Sequence, residues 1–174
     1  MPPVVIFNIH LVLGYVATLL CLGAYALPRL RAMDAVPAQR VIATVHSFRF
    51  FGLVFMLPGV IGPDLPAGFG AFAAYGDFAT GLLAIAALLT IRVRPLFWVF
   101  VVAYNLVGIL DLIGDYAYAV AVGVPDKAGE FGSTYAIPIL YVPALMLTHL
   151  YAFYRLMPSR SKAEPAVAGS VTAP

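Results

Sequence analysis

Residues 104–116 read YNLVGILDLIGDY, and they place one amide and two carboxylates inside a long apolar run that begins at Pro95. In a hydrocarbon medium each such group costs free energy unless it finds a hydrogen-bonding or charged partner. Asp111 and Asp115 are four residues apart, so they share one face of a helix. The stretch therefore predicts a membrane-embedded helix whose polar face turns toward the interior of the protein.

The composition of the whole chain agrees with this prediction. Of its 174 residues, 63% are hydrophobic and 10% are charged, whereas a soluble domain carries roughly 25% charged residues. The length accommodates about five spanning helices of ~20 residues each, with no separate soluble domain. We expect the first apolar run to be retained, because no basic segment precedes it. The single cysteine, Cys21, excludes an intrachain disulfide and any cysteine-based zinc or iron–sulfur site, and no other metal site is predicted.

We therefore predict an all-α membrane protein, a bundle of five transmembrane helices. The helices are expected over residues 4–27, 40–61, 72–91, 95–122 and 135–157. Pro28 is expected to end the first helix, because proline cannot continue the hydrogen-bonding pattern. A polar outer loop is expected over residues 125–134. Residues 1–158 form one domain on this reading, and residues 159–174 are expected to be a disordered cytoplasmic tail.

The basic residues predict the orientation of the bundle. With five alternating helices, eight of the ten fall at one end: Arg29, Arg31, Arg40, Arg92, Arg94, Arg155, Arg160 and Lys162. Lys127 falls at the other end, and Arg49 lies within the second helix. The excess of basic residues on the cytoplasmic side places the N-terminus outside and the C-terminus in the cytoplasm. Because topology accounts for these residues, nothing favours nucleic-acid binding.

Polar residues inside the predicted helices form an inner layer toward the cytoplasmic side. A rise of ~1.5 Å per residue places His46 and His149 at similar depth on the second and fifth helices. Arg49 lies one turn deeper than His46, and Asn105 lies close to the middle of the bilayer. These four side chains are expected to face the protein interior.

The same rise per residue places a second group of polar residues, the outer layer, toward the opposite side of the membrane. His10 and Asp77 lie at comparable depth on the first and third helices, and Asp111 lies within the outer leaflet. Asp115 is expected to reach headgroup water at the membrane surface. Ionisable groups are rare in spanning helices and normally face the interior.

Each layer also has a purely structural interpretation. Arg49 paired with Asp77 or Asp111 would act as a neutralising ion pair that fixes the register of the helices. Small residues such as Gly76 and Gly108 would serve close packing between helices without any chemical role. The sequence leaves this interpretation open.

Three short motifs stand out within residues 40–155: His46-Ser47-Phe48-Arg49, Gly76-Asp77 followed by Gly81-Leu82, and Asn105-Leu106-Val107-Gly108 with Asp111. Their combination resembles a widespread group of small bacterial multi-pass membrane proteins whose activity is uncharacterised. The resemblance implies a location in the bacterial inner membrane. It implies no activity and no catalytic residues.

Three classes of function are compatible with two polar layers. The first is a small carrier or channel-like protein for protons or a small solute, whose path would use His46, Arg49, Asp77, Asn105, Asp111, His149 and His10. The second is an accessory or structural subunit that lies in the lipid bilayer within a homo-oligomer or a larger membrane complex. The third is a membrane-embedded enzyme or a lipid- or quinone-binding protein, with His46 or His149 as a general base near Arg49.

A variant of the third class is a b-type haem protein. His46 and His149 would be the two axial ligands, since membrane cytochromes hold haem between histidines on facing helices. Arg40 or Arg49 would pair with the haem propionates. The matched depth of the two histidines meets the first geometric requirement of such a site.

Overall fold

The computed structural model describes residues 1–66 and 68–157, and every regular element in these two ranges is a helix. The helices are α1 Pro3–Ala32, α2 Ala35–Ser47, α3 Phe69–Leu89, α4 Arg94–Ala121 and α5 Ile137–Leu156. The 3₁₀ segment Phe48–Met56 follows α2, and Val124–Tyr135, a series of 3₁₀ turns interrupted at Lys127 and Gly132, follows α4. Helices α1, α3, α4 and α5 are each long and apolar enough to cross a membrane. The tail at 159–174, which the sequence predicts to be disordered, lies outside the described residues.

The second predicted helix is not one continuous α-helix, so the prediction over residues 40–61 is wrong in this respect. The chain is α-helical over Ala35–Ser47 and then winds more tightly as the 3₁₀ segment Phe48–Met56. With three residues per turn, residues three apart share one face. Arg49, Gly52 and Phe55 have this spacing, and all three are buried. The tighter winding therefore keeps the guanidinium and its neighbours on the face that packs against α3.

Pro28 does not end the first helix, which is a second correction to the sequence prediction. Helix α1 contains a π turn at Leu22–Ala26, where the backbone N–H of Leu27 donates to the carbonyl of Leu22, five residues back. The wider turn relieves the clash between a proline ring and the preceding helical turn. The helix then continues to Ala32.

Helix α3 occupies the centre of the bundle, between α4 and the segment formed by α2 and its 3₁₀ extension. Its buried face consists largely of small residues, with Ala73, Ala74, Ala84 and Ala87 between 0% and 4% exposed. Small side chains let helix backbones approach closely, which is how helices pack where lipid supplies no hydrophobic driving force. Helix α1 is peripheral and packs mainly against Val124–Tyr135 and α5.

Most of the basic residues lie at one end of the bundle, which we call the basic end. There the guanidinium of Arg155 donates to the carbonyl of Met33 at 2.8 Å, and Gln39 Nε2 donates to the carbonyl of Ala152 at 3.0 Å. Contacts within one apolar cluster bring the α3–α4 turn, with Arg92 and Arg94, to the same end.

The opposite end, which we call the capped end, is closed by two segments that contact each other. The backbone N–H of Gly62 donates to the carbonyl of Glu130 at 2.7 Å, and the N–H of Asp64 donates to Glu130 Oε2 at 3.2 Å. Within the predicted polar loop at 125–134 the backbone forms short 3₁₀ turns that are interrupted at Lys127 and Gly132, where the dihedral angles are not helical. Because Val124 and Phe131 are each 1% exposed, this segment is a packed cap over the bundle.

Candidate functional site

The candidate site is built around Arg49, whose side chain is fully buried. Its Nε donates to Asp77 Oδ1 on α3 at 2.6 Å, and its Nη2 donates to Asp111 Oδ2 on α4 at 2.5 Å. Its Nη1 donates to the carbonyl of Gly108 at 3.2 Å. A guanidinium stays charged at any physiological pH, so a buried one requires partners of this kind. We refer to Arg49, Asp77 and Asp111 as the Arg49 cluster.

The charges of the Arg49 cluster do not balance when both carboxylates are ionised. One guanidinium then faces two carboxylates, and the side chains of Asp77 and Asp111 are only 8% and 7% exposed. An unbalanced charge costs far more in a low-dielectric interior than in water. A proton shared by the two carboxylates would make the cluster neutral.

A directed hydrogen-bond chain leads from Arg49 to α5 and back to α4. Arg49 Nη1 lies 3.2 Å from His149 Nε2, and since arginine only donates, that nitrogen must accept. The ring proton of His149 is therefore on Nδ1, which donates to Asn105 Oδ1 at 2.9 Å. Asn105 Nδ2 in turn donates to the carbonyl of Val101 at 2.8 Å. The chain fixes both the orientation and the tautomer of the His149 imidazole.

His46 and His149, which we call the histidine pair, stack on each other. Their ring centroids are 3.8 Å apart at an interplanar angle of 29°. His46 Nε2 lies 3.1 Å from the hydroxyl of Thr148, whose own proton is directed to backbone carbonyls of α5. His46 Nδ1 is buried and has no hydrogen-bond partner within residues 1–66 and 68–157. It is a buried acceptor with no donor among the described residues.

This stacking does not fit the haem hypothesis. Axial ligands approach an iron from opposite faces of the macrocycle, with a nitrogen of each ring aimed at the metal. Here the two rings lie face to face at 3.8 Å, and their Nε2 atoms are turned to Arg49 and Thr148. No space for a macrocycle remains between them, so we derive no role for haem.

Glycines create the space that the polar side chains occupy. A methyl group on Gly52 would meet the carboxylate of Asp77, and one on Gly76 would meet the carboxylate of Asp111. A methyl group on Gly108 would meet the imidazole of His149 and the guanidinium of Arg49. The structural interpretation of the sequence gave Gly76 and Gly108 a role in helix packing alone. In the structure they admit the side chains of the site.

A small cavity adjoins the Arg49 cluster on the side of the capped end, and we call it the outer cavity. It has a volume of about 50 Å³, and Asp77 and Asp115 are the acidic residues in its lining. Asp115 was expected at headgroup water, but its Oδ1 is buried and finds no partner among the described residues. The carboxyl group of Asp115 therefore lies beside the outer cavity, with this oxygen shielded from solvent.

His10 does not join the other candidates. Its side chain is exposed, and its Nδ1 lies 3.1 Å from the hydroxyl of Tyr135 near the capped end. The reason is the peripheral position of α1, which packs mainly against Val124–Tyr135 and α5. The other six candidates, His46, Arg49, Asp77, Asn105, Asp111 and His149, are brought into one connected site.

Sequence reasoning did not identify every member of this site. Thr148 precedes His149 and holds His46, while Gln39 and Tyr104 extend the polar region toward the basic end, with Tyr104 OH 3.5 Å from Gln39 Oε1. Gln39 was assigned to a connecting segment, since the α-helical start at Ala35 was not predicted. Apart from His10, the candidates of the two polar layers expected from depth form one site, joined at Arg49.

No curated protein and no solved structure matches this chain. A family model described as Domain of unknown function (DUF8737) matches residues 6–157. The match includes every helix that carries a site residue. The chain therefore belongs to the DUF8737 family.

Proposed function

We propose that this protein transfers protons across a membrane, with the Arg49 cluster as its proton-binding centre. The observation that carries this proposal is one buried guanidinium shared by two carboxylates, in a chain with four helices apolar enough to span a bilayer. With both carboxylates ionised, the cluster would hold one uncompensated negative charge in surroundings where that is costly. Uptake of one proton removes the imbalance, and its release restores it.

In this proposal five segments cross the membrane. Four of them are α1, α3, α4 and α5. The remaining segment, second in chain order, is Ala35–Met56, which has 13 residues of α-helix followed by 9 residues of 3₁₀ helix. At ~1.5 and ~2.0 Å per residue these segments extend over roughly 37 Å, compared with about 30 Å of hydrocarbon. The basic end would face the cytoplasm and the capped end the outside. The resemblance to small bacterial membrane proteins supports an inner-membrane location.

The size of the outer cavity favours protons over a solute as the cargo. A water molecule occupies roughly 30 Å³ of liquid volume, so a cavity of about 50 Å³ holds very few. Binding sites for small organic molecules measure roughly 300–1,000 Å³. Water in the outer cavity would connect the capped end to the carboxylates of Asp77 and Asp115. A proton is the cargo that such a space admits.

Arg49 acts as the gate in this proposal. Its Nε and Nη2 hold the two carboxylates, and its Nη1 holds His149 Nε2. The guanidinium thus stands between a proton donor and the nearest acceptor. When it moves aside, a carboxyl O–H can pass its proton to Nε2, leaving a carboxylate and an imidazolium. Because the stacked rings do not hydrogen-bond to each other, transfer to His46 Nδ1 then requires rotation of one ring.

The test is proton flux into liposomes that contain the purified protein and a trapped pH-sensitive dye. A potassium gradient with valinomycin supplies the driving potential. We expect wild-type protein to change the internal pH faster than protein-free liposomes. We expect Asp111→Asn to reduce the rate to the protein-free background, because an amide cannot exchange the proton of the Arg49 cluster.

The matched control is Asp126→Asn, which removes an exposed carboxyl group at the capped end. It should retain the wild-type rate. Wild-type flux no faster than that of empty liposomes, at several protein densities and both directions of the potential, would refute the proposal. So would an Asp111→Asn protein that conducts like the wild type.

A further inference from the structure

Asp115 is an acidic residue of α4 that lies next to the Arg49 cluster without belonging to it. It follows Asp111 by one helical turn, so the two carboxyl groups share a face of α4. Because α4 runs toward the capped end, this turn places Asp115 about 6 Å nearer to that end. Asp115 also lines the outer cavity together with Asp77, whereas Asp111 is not among the described residues of that lining. A proton that enters through the outer cavity therefore meets Asp115 before it meets Asp111.

The surroundings of Asp115 contain no basic partner. Asp77 and Asp111 each accept from the Arg49 guanidinium, but Asp115 makes no ion pair within residues 1–66 and 68–157. No lysine, arginine or histidine lies among the described residues that line the outer cavity. The Oδ1 atom of Asp115 is shielded from solvent and accepts no hydrogen bond from the described part of the chain. An ionised Asp115 would be a charge without a counter-charge, so this environment favours the neutral, protonated carboxyl group.

From this placement we propose that Asp115 is the relay that passes protons between the outer cavity and the Arg49 cluster. The inference rests on the proposed proton transfer and identifies the group that serves the cluster from the capped end. The outer cavity, at about 50 Å³, has room for water between the two acidic residues that line it. Water and a neutral carboxyl group together form a short route for a proton through otherwise apolar walls.

The relay works in two steps that conserve charge. When the Arg49 cluster has passed its proton to His149, the cluster holds one negative charge. The O–H bond of Asp115 then breaks, and an O–H bond forms on the carboxylate of Asp77, directly or through water in the outer cavity. The cluster is neutral again and Asp115 is a carboxylate, which takes up a proton from water at the capped end. For flow in the opposite direction the same steps run in reverse.

The first test is proton flux into liposomes with Asp115→Asn. Asparagine has nearly the same shape as aspartate but carries no exchangeable acidic proton. We expect the rate to fall by about a hundredfold, the lower end of what a positioned proton-transfer group contributes. Because Asp115 has no hydrogen-bonding or charged partner among the described residues, this variant should keep the wild-type Tm. The matched control is Asp126→Asn, which removes an exposed carboxyl group at the capped end and should conduct like the wild type.

The second test measures the proton on Asp115 without any flux. A protonated carboxyl group has a carbonyl stretching band in the infrared that an ionised carboxylate lacks. At neutral pH we expect one such band to be present in the wild type and in Asp126→Asn, and to be missing from Asp115→Asn.

The outcomes separate the relay from the proposed function. If the wild type conducts, Asp111→Asn does not, and Asp115→Asn conducts at the wild-type rate, the relay is overturned and the proposed function stands. Identical infrared spectra for Asp115→Asn and the wild type would also overturn the relay. Wild-type protein that conducts no faster than empty liposomes would refute the proposed function and the relay with it.

Discussion

Replacing Gly108 by alanine tests the geometry of the site directly. An added methyl group would overlap His149 Nε2 and would lie 2.5 Å from His149 Cε1 and 2.7 Å from Arg49 Nη1. Ordinary contacts of this kind begin near 3.4 Å, and both neighbours are fully buried. The imidazole and the guanidinium must therefore each move away from the added methyl group by a large fraction of an ångström. Their mutual contact and the bond from Arg49 to the Gly108 carbonyl, each 3.2 Å long, would be disturbed.

The cost of this change can be estimated from its two components. Forcing an extra methyl group into a packed interior costs about 1–3 kcal/mol. Weakening a hydrogen bond to a charged group costs about 1.5–3 kcal/mol. We therefore expect the free energy of unfolding to fall by about 3–5 kcal/mol, which lowers Tm by roughly 10 °C for a chain of this size.

The assay is thermal unfolding in detergent micelles, with Gly23→Ala as the control. No atom lies within 4 Å of a methyl group added at Gly23, so that variant should unfold at the wild-type temperature. In a Gly108→Ala background, His149→Ala should also cost less than it costs in the wild type, because it removes one of the overlaps. Equal Tm values for Gly108→Ala and Gly23→Ala would refute the described packing.

Three further predictions concern the path and the topology. Thr148→Val removes the hydroxyl that holds His46 and should slow proton flux into liposomes about tenfold, the equivalent of one hydrogen bond; an unchanged rate would exclude His46 from the path. His10→Gln should leave the flux unchanged, because His10 is exposed and lies apart from the Arg49 cluster. In a cysteine-free background, Lys127→Cys should react with an impermeant maleimide from outside intact cells, whereas Arg92→Cys should react only after lysis. The reverse pattern would contradict the proposed orientation.

Hydropathy is sufficient to predict where the apolar helices lie. Exposing polar groups to lipid is so costly that a spanning segment must be helical and carry mostly apolar side chains. The predicted third helix over 72–91 corresponds to α3 at Phe69–Leu89, and the fourth over 95–122 to α4 at Arg94–Ala121. The depth of polar residues also identified six members of the site. Helix location and residue depth depend only on position along one helix, and that position can be read directly from the sequence.

Features that depend on how helices rotate against each other were not predictable in the same way. The change from α to 3₁₀ winding after Ser47 directs Arg49 toward α3, and no cap or proline marks it. Likewise, Asp115 is at a depth compatible with the interface, and the sequence does not show that its Oδ1 is buried beside the outer cavity. For Gly108, the sequence does not distinguish a glycine that packs against the backbone of another helix from one that leaves space for the His149 imidazole.

The stoichiometry of the Arg49 cluster, one guanidinium and two carboxylates, is the argument for the proposed proton-binding role over a purely structural one. A buried ion pair is a poor source of stability, since well-packed apolar residues of similar volume often do as well or better. If the cluster served only to fix helix register, one carboxylate opposite Arg49 would give a neutral pair. The second carboxylate adds a charge that only a proton or another cation can compensate. It also lies 2.5 Å from the guanidinium, on a different helix from the first. Asp77 alone would suffice for register, whereas Asp77 together with Asp111 offers a place for one proton, which is the basis of the proposed proton transfer.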